Sequence, residues 1–283
     1  MNAFEKAQVY FRASAALRNV NLKGLPFLPR RLFTVPLHNR GAYNEFVTWI
    51  HFLRLNSARW IVDVGANHGD FAEAAAAYFP EASILLVEPL PQLHDELQRR
   101  CARHRGKWLL EKFAVGAEED VLPLHVAANQ DAIGSLAGFS PEYQRLNPQS
   151  EITQISCKVR QLDAIAAERK ISCIDLLKID VEGFEFEVVK GAVRALEFTR
   201  ALIVEVSLVR RPTDVTNPLV AMLDLVTTHG FQVVNVLPSL FDLSCPWKPV
   251  EFNILARKSD AACMSRQESL KMRSNSARAI PIT

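Results

Sequence analysis

The spacing of apolar residues changes character near position 60, and the change separates two kinds of architecture. Before it, apolar side chains recur at helical intervals: Phe4, Val9, Phe11 and Leu17 within residues 2–18, then Phe46, Ile50 and Leu53 within residues 43–55. Residues 25–37 between them carry Pro26, Pro29 and Pro36 and read as a strap, since proline removes a backbone donor and fixes φ. After position 60, short unbroken apolar runs alternate with helical stretches. Trp60–Val64 is a buried strand ending at Gly65, 70–79 an alanine-rich helix stopped by Pro80, and 83–88 a second buried strand. Residues 92–103 form a helix behind Pro89 and Pro91, and 108–115 a third strand. Strands apolar on both faces and joined by helices predict a parallel sheet with right-handed crossovers.

The middle is less regular. Residues 121–126 and 154–159 alternate as a pair of strands around a polar stretch holding Gly134, Gly138, Pro141 and Pro148. A loop of that length in a compact domain is expected to be a lid or a binding loop. Then come helix 162–169, strand 173–179, helix 184–196, strand 201–206, helix 215–229 stopped by Gly230, and strands 231–236 and 251–256. No helical pattern separates the last two strands, so they are expected to run antiparallel. The predicted fold class is α/β: a mostly parallel sheet with an antiparallel final strand and helices on both faces. Residues 1–58 form a helical extension and strap, 59–258 the α/β domain, and 259–283 a polar, basic tail expected to be disordered.

Composition narrows the partners. Apolar residues make up 49% of the 283 positions, enough for a sizeable core. A net charge of only +2 argues against the field that nucleic-acid binding needs, so no nucleic acid is expected. Bases gather at the ends: seven against one acid in residues 1–40, and six against two acids from Arg257 onward. Solvated helix faces and a loose tail account for this, and weak peripheral contact with a membrane or an anionic substrate is the alternative. Cys101, Cys157, Cys173, Cys245 and Cys263 lack C-x-x-C spacing, so neither a zinc site nor a disulfide framework is expected, and the odd number fits a reducing compartment. Lys6 and Arg12 interrupt any apolar leader, and no run approaches the roughly 20 apolar residues of a membrane helix, which points to a cytoplasmic protein.

Three motifs sit where chemistry is expected. Asp63-Val64-Gly65-Ala66-Asn67-His68-Gly69 joins the first strand to its helix, and in doubly wound sheets ligands bind outside the carboxyl ends of the strands near the switch in strand order. The spacing is G-x-x-x-G, and Asn67 stands where a dinucleotide turn has its second glycine, so a diphosphate is crowded and a ligand with an amino-acid end fits better. A plain turn with Asn67 capping the helix is the structural alternative. Glu88 ends the second strand, 19 residues past Gly69, where an acid accepts hydrogen bonds from both ribose hydroxyls of an adenosine ligand. Leu177-Lys178-Ile179-Asp180-Val181-Glu182-Gly183-Phe184-Glu185 ends the strand expected beside the first, which turns Asp180 and Glu182 into the same crevice. Glu182 and Glu185 also suit the positive end of the following helix.

Together these strings resemble the FkbM family of S-adenosylmethionine-dependent methyltransferases. The likeness rests on Asp63 to Phe71, on Val87-Glu88-Pro89, on Phe113-Ala114-Val115-Gly116, and on Leu177 to Glu185 followed by Val188-Val189-Lys190-Gly191-Ala192, and it covers roughly residues 60–258. The resemblance implies a Rossmann-like class I fold and transfer of a methyl group from S-adenosyl-L-methionine to a hydroxyl of a sugar, polyketide or other secondary metabolite. It implies that Asp63, Gly65, Asn67 and Gly69 cradle the methionine part and that Glu88 holds the ribose. Phe113 to Val115, with Phe113 and Ala114 as the cofactor contacts, lie near the adenine, Asp180 either holds the cofactor's amino end or takes the hydroxyl proton, and Asp180 with Glu182 faces the reaction centre. Candidates for the base that takes the hydroxyl proton are Asp180, Glu182 and His68. Two carboxylates without a clear third ligand do not define a metal site, so none is expected, although a divalent cation between Asp180 and Glu182 is a conceivable route. Ser135 in the long loop is either a ligand contact or a turn residue. The rival functions are a nicotinamide-dependent oxidoreductase, disfavoured by the missing glycine, and a non-catalytic protein on the same fold.

Overall fold

The computed structural model describes residues 40–104, 106–127, 133–208, 216–242 and 245–259. The helix expected at 2–18, the strap at 25–37 and the tail beyond 259 lie outside the described residues. In chain order the elements are α1 (Arg40–Leu53), β1 (Trp60–Val64), α2 (Asp70–Tyr78), β2 (Ser83–Val87), α3 (Pro91–Arg103), β3 (Trp108–Glu111), β4 (Ala114–Val115), β5 (Asp120–Ala127), β6 (Ile133–Ser135), α4 (Pro141–Leu146), β7 (Ile152–Arg160), α5 (Leu162–Glu168), β8 (Ile174–Ile179), α6 (Glu185–Lys190), α7 (Val193–Glu197), β9 (Thr199–Ser207), α8 (Pro218–Thr228), β10 (Gln232–Asp242) and β11 (Cys245–Arg257).

Seven strands form one sheet in the order β10-β11-β9-β8-β1-β2-β3. β11 runs antiparallel to both neighbours, and the other pairs are parallel. Strand order reverses between β1 and β8, which defines the crevice at their carboxyl ends. This is the Rossmann-like architecture read from the sequence.

Alternating residues of each central strand point to two separate cores. Ile61, Ile84, Leu86, Leu176 and Ile203 face α1, α2 and α3, whereas Val62, Leu85, Leu177, Ile179 and Val204 face α5 to α8. Helix α1 falls in the segment that the sequence set apart, yet it packs on the first of these cores. Tyr43, Phe46, Ile50 and Leu53 are each 2% exposed or less, and Phe46 meets the edge of Phe71 at 5.3 Å. Burial of each such side chain is worth roughly 1.5–3 kcal/mol, so α1 is integral to the domain. Among the described residues no helix is long and apolar enough to cross a membrane.

A second, smaller sheet, β4-β7-β5-β6, stands apart from the first. It explains three departures from the sequence reading. The single strand expected at 108–115 breaks after Glu111, and Ala114–Val115 pairs instead with Val159 and Arg160 of β7. The helix expected at 184–196 breaks at Gly191, where a Cβ would stand 1.9 Å from the Gly116 carbonyl, so the end of β4 passes too close for a continuous side-chain-bearing helix. The long loop holds β6 and α4, the latter capped by Ser140, whose Oγ accepts from the Tyr143 N–H at 3.1 Å. Lastly, residues 237–242 and 245–249, where the sequence showed only a proline-broken stretch, continue β10 and β11 as an antiparallel pair. Pro238 lies on the edge strand beside register shifts, where the ladder has no need of its missing donor.

Candidate active site

The loop after β1 is fixed from both sides. The N–H groups of Gly65 and Ala66 donate to the Val87 carbonyl at 3.0 and 3.1 Å. Gly65 has φ +82°, and a Cβ there would lie 1.8 Å from the Asp180 carbonyl oxygen. This glycine is therefore required by the approach of the β8 loop. Asn67 sits at φ +49°, donates its N–H to Glu88 Oε2 at 2.7 Å and accepts from the His68 N–H through Oδ1 at 2.7 Å. Gly69, at φ +82°, caps α2 against the side chains of Leu97 and Leu86.

Above this loop lies an open cleft, whose empty space together with the solvent at its mouth comes to about 630 Å³. Gly65, Asn67, Glu88, Phe113, Ala114, Asp180 and Glu182, all singled out in the sequence, line it together. One wall is polar, made by the β1 loop, Glu88, Asp180 and Glu182. The other is apolar, made by Leu90, Phe113, Leu124, Ile133 and Leu136. Asp63, Gly69, His68 and Ser135 do not line it. Ser135 is buried and donates through Oγ to the Glu182 carbonyl at 2.6 Å, tying β6 to the β8 loop. His68 turns to α3, with Nδ1 2.9 Å from Glu96 Oε2.

Glu88 is 4% exposed, and its two oxygens accept one backbone N–H each, from Asn67 and from Leu90 at 2.9 Å. Burial pushes this carboxyl up to about 7, against the lowering effect of those two N–H groups. A carboxylate has about four acceptor positions, so each oxygen keeps one for a further O–H donor.

Behind the polar wall is a group that the sequence analysis passed over. Lys178 is buried and donates through Nζ to Asp180 Oδ2 at 3.0 Å, with Asp63 Oδ1 at 3.6 Å and the Phe71 ring beneath. Burial alone pulls Lys178 down, yet Asp180 and Asp63 hold its ammonium above the ordinary value. Asp63 is fully buried and neither oxygen finds a hydrogen-bond donor, so burial raises it to about 6. Its place is under the loop, as the counter-charge of Lys178. The signal for this group was legible: Lys178 follows Leu176 and Leu177 in a fully buried strand, and a lysine buried there needs a charged partner. Of the apolar wall, Phe113 and the long loop were expected near a ligand, whereas Leu124 left no local signal, because β5 reaches the cleft only through its pairing in the second sheet. Glu185 braces the loop after β8 by accepting from the N–H groups of Val181 and Gly183 at 3.2 and 2.9 Å. Among the described residues no group of three or more His, Cys, Asp or Glu stands where it would hold a metal ion.

These buried acids set the response to pH. Burial raises Glu45, Glu88 and Glu185 to about 7 and Asp63 to about 6. In an unfolded chain such groups titrate at roughly 3.9–4.3. Between about pH 4 and 7 the folded chain therefore binds more protons, and stability falls as pH rises through that window. Thermal melts at matched ionic strength should give a higher Tm at pH 5 than at pH 7.5. A Tm that climbs over the same interval contradicts the burial of these groups.

The FkbM methyltransferase domain model matches residues 63–233. The 31-O-demethyl-FK506 methyltransferase FkbM of Streptomyces tacrolimicus is 28% identical over 249 residues, covering 80% of this chain and 89% of its own length. Methyltransferase sdnD of Sordaria araneosa is 26% identical over 73% of this chain and 84% of its own. The 2-O-methyltransferase NoeI of Sinorhizobium fredii is 28% identical over 63% of this chain and 74% of its own. Every residue gathered on the cleft lies within the matched stretch, and the chain belongs to the FkbM methyltransferase family.

Proposed function

We propose that the chain transfers a methyl group from S-adenosylmethionine to a hydroxyl oxygen of a sugar, polyketide or other secondary metabolite. The observation that carries this reading is Glu88, held at the switch point with one acceptor position on each oxygen still available, a match for paired ribose hydroxyls. The apolar wall of Phe113, Leu124, Ile133 and Leu136 suits an adenine ring, and the backbone of Gly65 to Asn67 suits the methionine part. Asp180, already fixed by Lys178, suits the ammonium end. A dinucleotide fits worse, since Asn67 fills the place of a glycine and the Asp180 carbonyl closes in on Gly65. The hydroxyl acceptor follows the printed activities of two relatives, which methylate oxygen. The thiols of Cys101, Cys157 and Cys245 are free, in keeping with a reducing, cytoplasmic setting.

The bound cofactor supplies an electrophilic methyl group on a positive sulfonium. The protein's part is alignment, which recovers on the order of 7–11 kcal/mol of barrier in well-oriented pairs. Besides Glu88, the carboxylates that line the cleft are Asp180 and Glu182, and one of these two takes the hydroxyl proton, worth roughly a hundred- to ten-thousand-fold in rate. Isothermal titration of the purified chain with S-adenosylmethionine and with its demethylated product should show binding of both. Glu88→Gln places an amide donor against a backbone N–H and removes a ribose acceptor, so affinity should fall roughly 10- to 100-fold. Absence of heat with either ligand would overturn the assignment.

A further inference from the structure

Glu182 lines the cleft on a backbone that side-chain-bearing residues rarely adopt. Its φ is +59°, in the left-handed region, and Gly183 follows at φ +102°. A residue other than glycine stays there when its surroundings over-determine the backbone. Here the peptide unit between Glu182 and Gly183 is held at both ends. Its N–H, that of Gly183, donates to Glu185 Oε1 of α6 at 2.9 Å. Its C=O, that of Glu182, accepts from Ser135 Oγ of β6 at 2.6 Å. One unit earlier, the Val181 N–H donates to the same Glu185 oxygen at 3.2 Å. Ser135 is fully buried and reaches this loop from the smaller sheet, where it pairs with His125 of β5. Side chains alternate along a strand, so Gly134 and Ser135 face opposite ways. Gly134 lies against the loop after β2, where a Cβ would stand 2.9 Å from Leu90 Cδ2, and Ser135 faces the loop after β8. β6 thereby bridges the loops that follow the two neighbours of β1 in the wide sheet.

We infer that Ser135 is a positioning residue for the methyl transfer: by fixing the Glu182–Gly183 peptide unit from across the cleft, it aims the Glu182 carboxylate at the reacting atoms. The inference rests on the reading above, in which Asp180 and Glu182 serve a bound S-adenosylmethionine. Ser135 does not line the cleft and acts through Glu182. The mechanism is geometrical. With the hydroxyl gone, the C=O end of that peptide unit loses its anchor, and Gly183 tolerates a turned unit at little steric cost. Glu182 is then released from the left-handed region, and its Cα–Cβ bond turns with the backbone. The carboxylate stands at the end of that side chain, so a small rotation at Cα becomes a large displacement at the charge. Asp180 does not share this dependence, because its carboxylate is fastened to Lys178 Nζ at 3.0 Å. The smaller sheet thus contributes to the polar wall as well as to the apolar one, through a hydroxyl 47 residues away from the carbonyl it holds.

The test needs no acceptor. S-adenosylmethionine carries one more positive charge than its demethylated product, so a carboxylate aimed at the sulfur favours the first over the second. Calorimetric titration of the full chain with each ligand gives the ratio of the two affinities. Glu182→Gln should lower that ratio roughly fivefold, the size of one partly screened charge pair. Ser135→Ala should lower it by roughly threefold to fivefold, because the charge is present but misdirected. In the double variant the serine change should add nothing further, since its effect runs through Glu182. Equal losses for both ligands in Ser135→Ala, with the ratio unmoved, would mean that the serine serves local structure alone and would overturn the inference. Additive effects in the double variant would overturn it too, and so would an unmoved ratio in Glu182→Gln, all with the cofactor assignment left standing. If Ser135→Ala does not fold, Ser135→Cys, whose thiol is a weak donor, should move the ratio in the same direction, and an unmoved ratio there overturns the inference. No heat from either ligand in the natural chain would remove both readings together.

Discussion

Gly65→Ala should yield a chain with no measurable cofactor binding and a stability lower by several kcal/mol. Position 65 has φ +82°, and the new methyl would stand 1.8 Å from the carbonyl oxygen and 2.8 Å from the carbonyl carbon of Asp180. These are backbone atoms, anchored by the Asp180 N–H bond to the Val64 carbonyl at 3.0 Å, so nothing nearby swings aside as a side-chain tip would. A left-handed backbone at a non-glycine residue costs roughly 1–3 kcal/mol. Overpacking adds roughly 1–3 kcal/mol more. The loops after β1 and β8 must part, and they carry the polar wall between them. Gly106 is the control: it has φ +81° with nothing within 4 Å, so Gly106→Ala registers the backbone cost without the collision. Urea unfolding of the two variants separates the contributions. A Gly65→Ala chain no less stable than Gly106→Ala would show that the two loops do not approach as described.

Lys178→Met should cost about 3–5 kcal/mol near neutral pH, the usual penalty for stranding a buried charge by removing its partner. Asp63 and Asp180 would lose their cation at 3.6 and 3.0 Å, and Asp63 has no hydrogen bond to fall back on. The loss has a distinctive pH dependence. Once protonated, the acids no longer need the ammonium, so the gap between variant and natural chain should narrow as pH falls from 8 toward 5. Denaturant melts across that range measure it. A gap that is the same at both ends would mean that Lys178 contributes packing alone.

The sequence announced the large sheet because its strands, apolar on both faces, stop at marked turns such as Gly65, Pro80 and Gly230. The antiparallel last strand was legible from the missing helix between the two terminal strands. The cleft residues were legible where a strand end fixed their position, as for Glu88 and Asp180. Reading failed where a residue's role depended on a partner distant in the chain. Gly65 lines the cleft as the sequence suggested, but what forbids a side chain there is the Asp180 carbonyl, 115 positions later. Asp63 looked like a ligand contact, but strand register sets it opposite Lys178. Neither relation has a local signature. Residues 108–115 kept one apolar pattern while the chain changed sheets at Lys112 and Phe113, a change that only pairing reveals.

The smaller sheet is spliced into the chain between β3 and α5 and pairs with itself alone. The wide sheet and its two cores do not depend on that splice for their strand order. Much of the slot's apolar lining does, through Leu124, Ile133 and Leu136. The order of the wide sheet and the breadth of molecules admitted are thus written largely in separate stretches of one polypeptide, although Val115, Leu124, Val126 and Val159 also pack into the cores. Changes at Ile133 and Leu136, which line the slot outside the two main cores' buried sets, can therefore retune what enters without reordering the strands beneath.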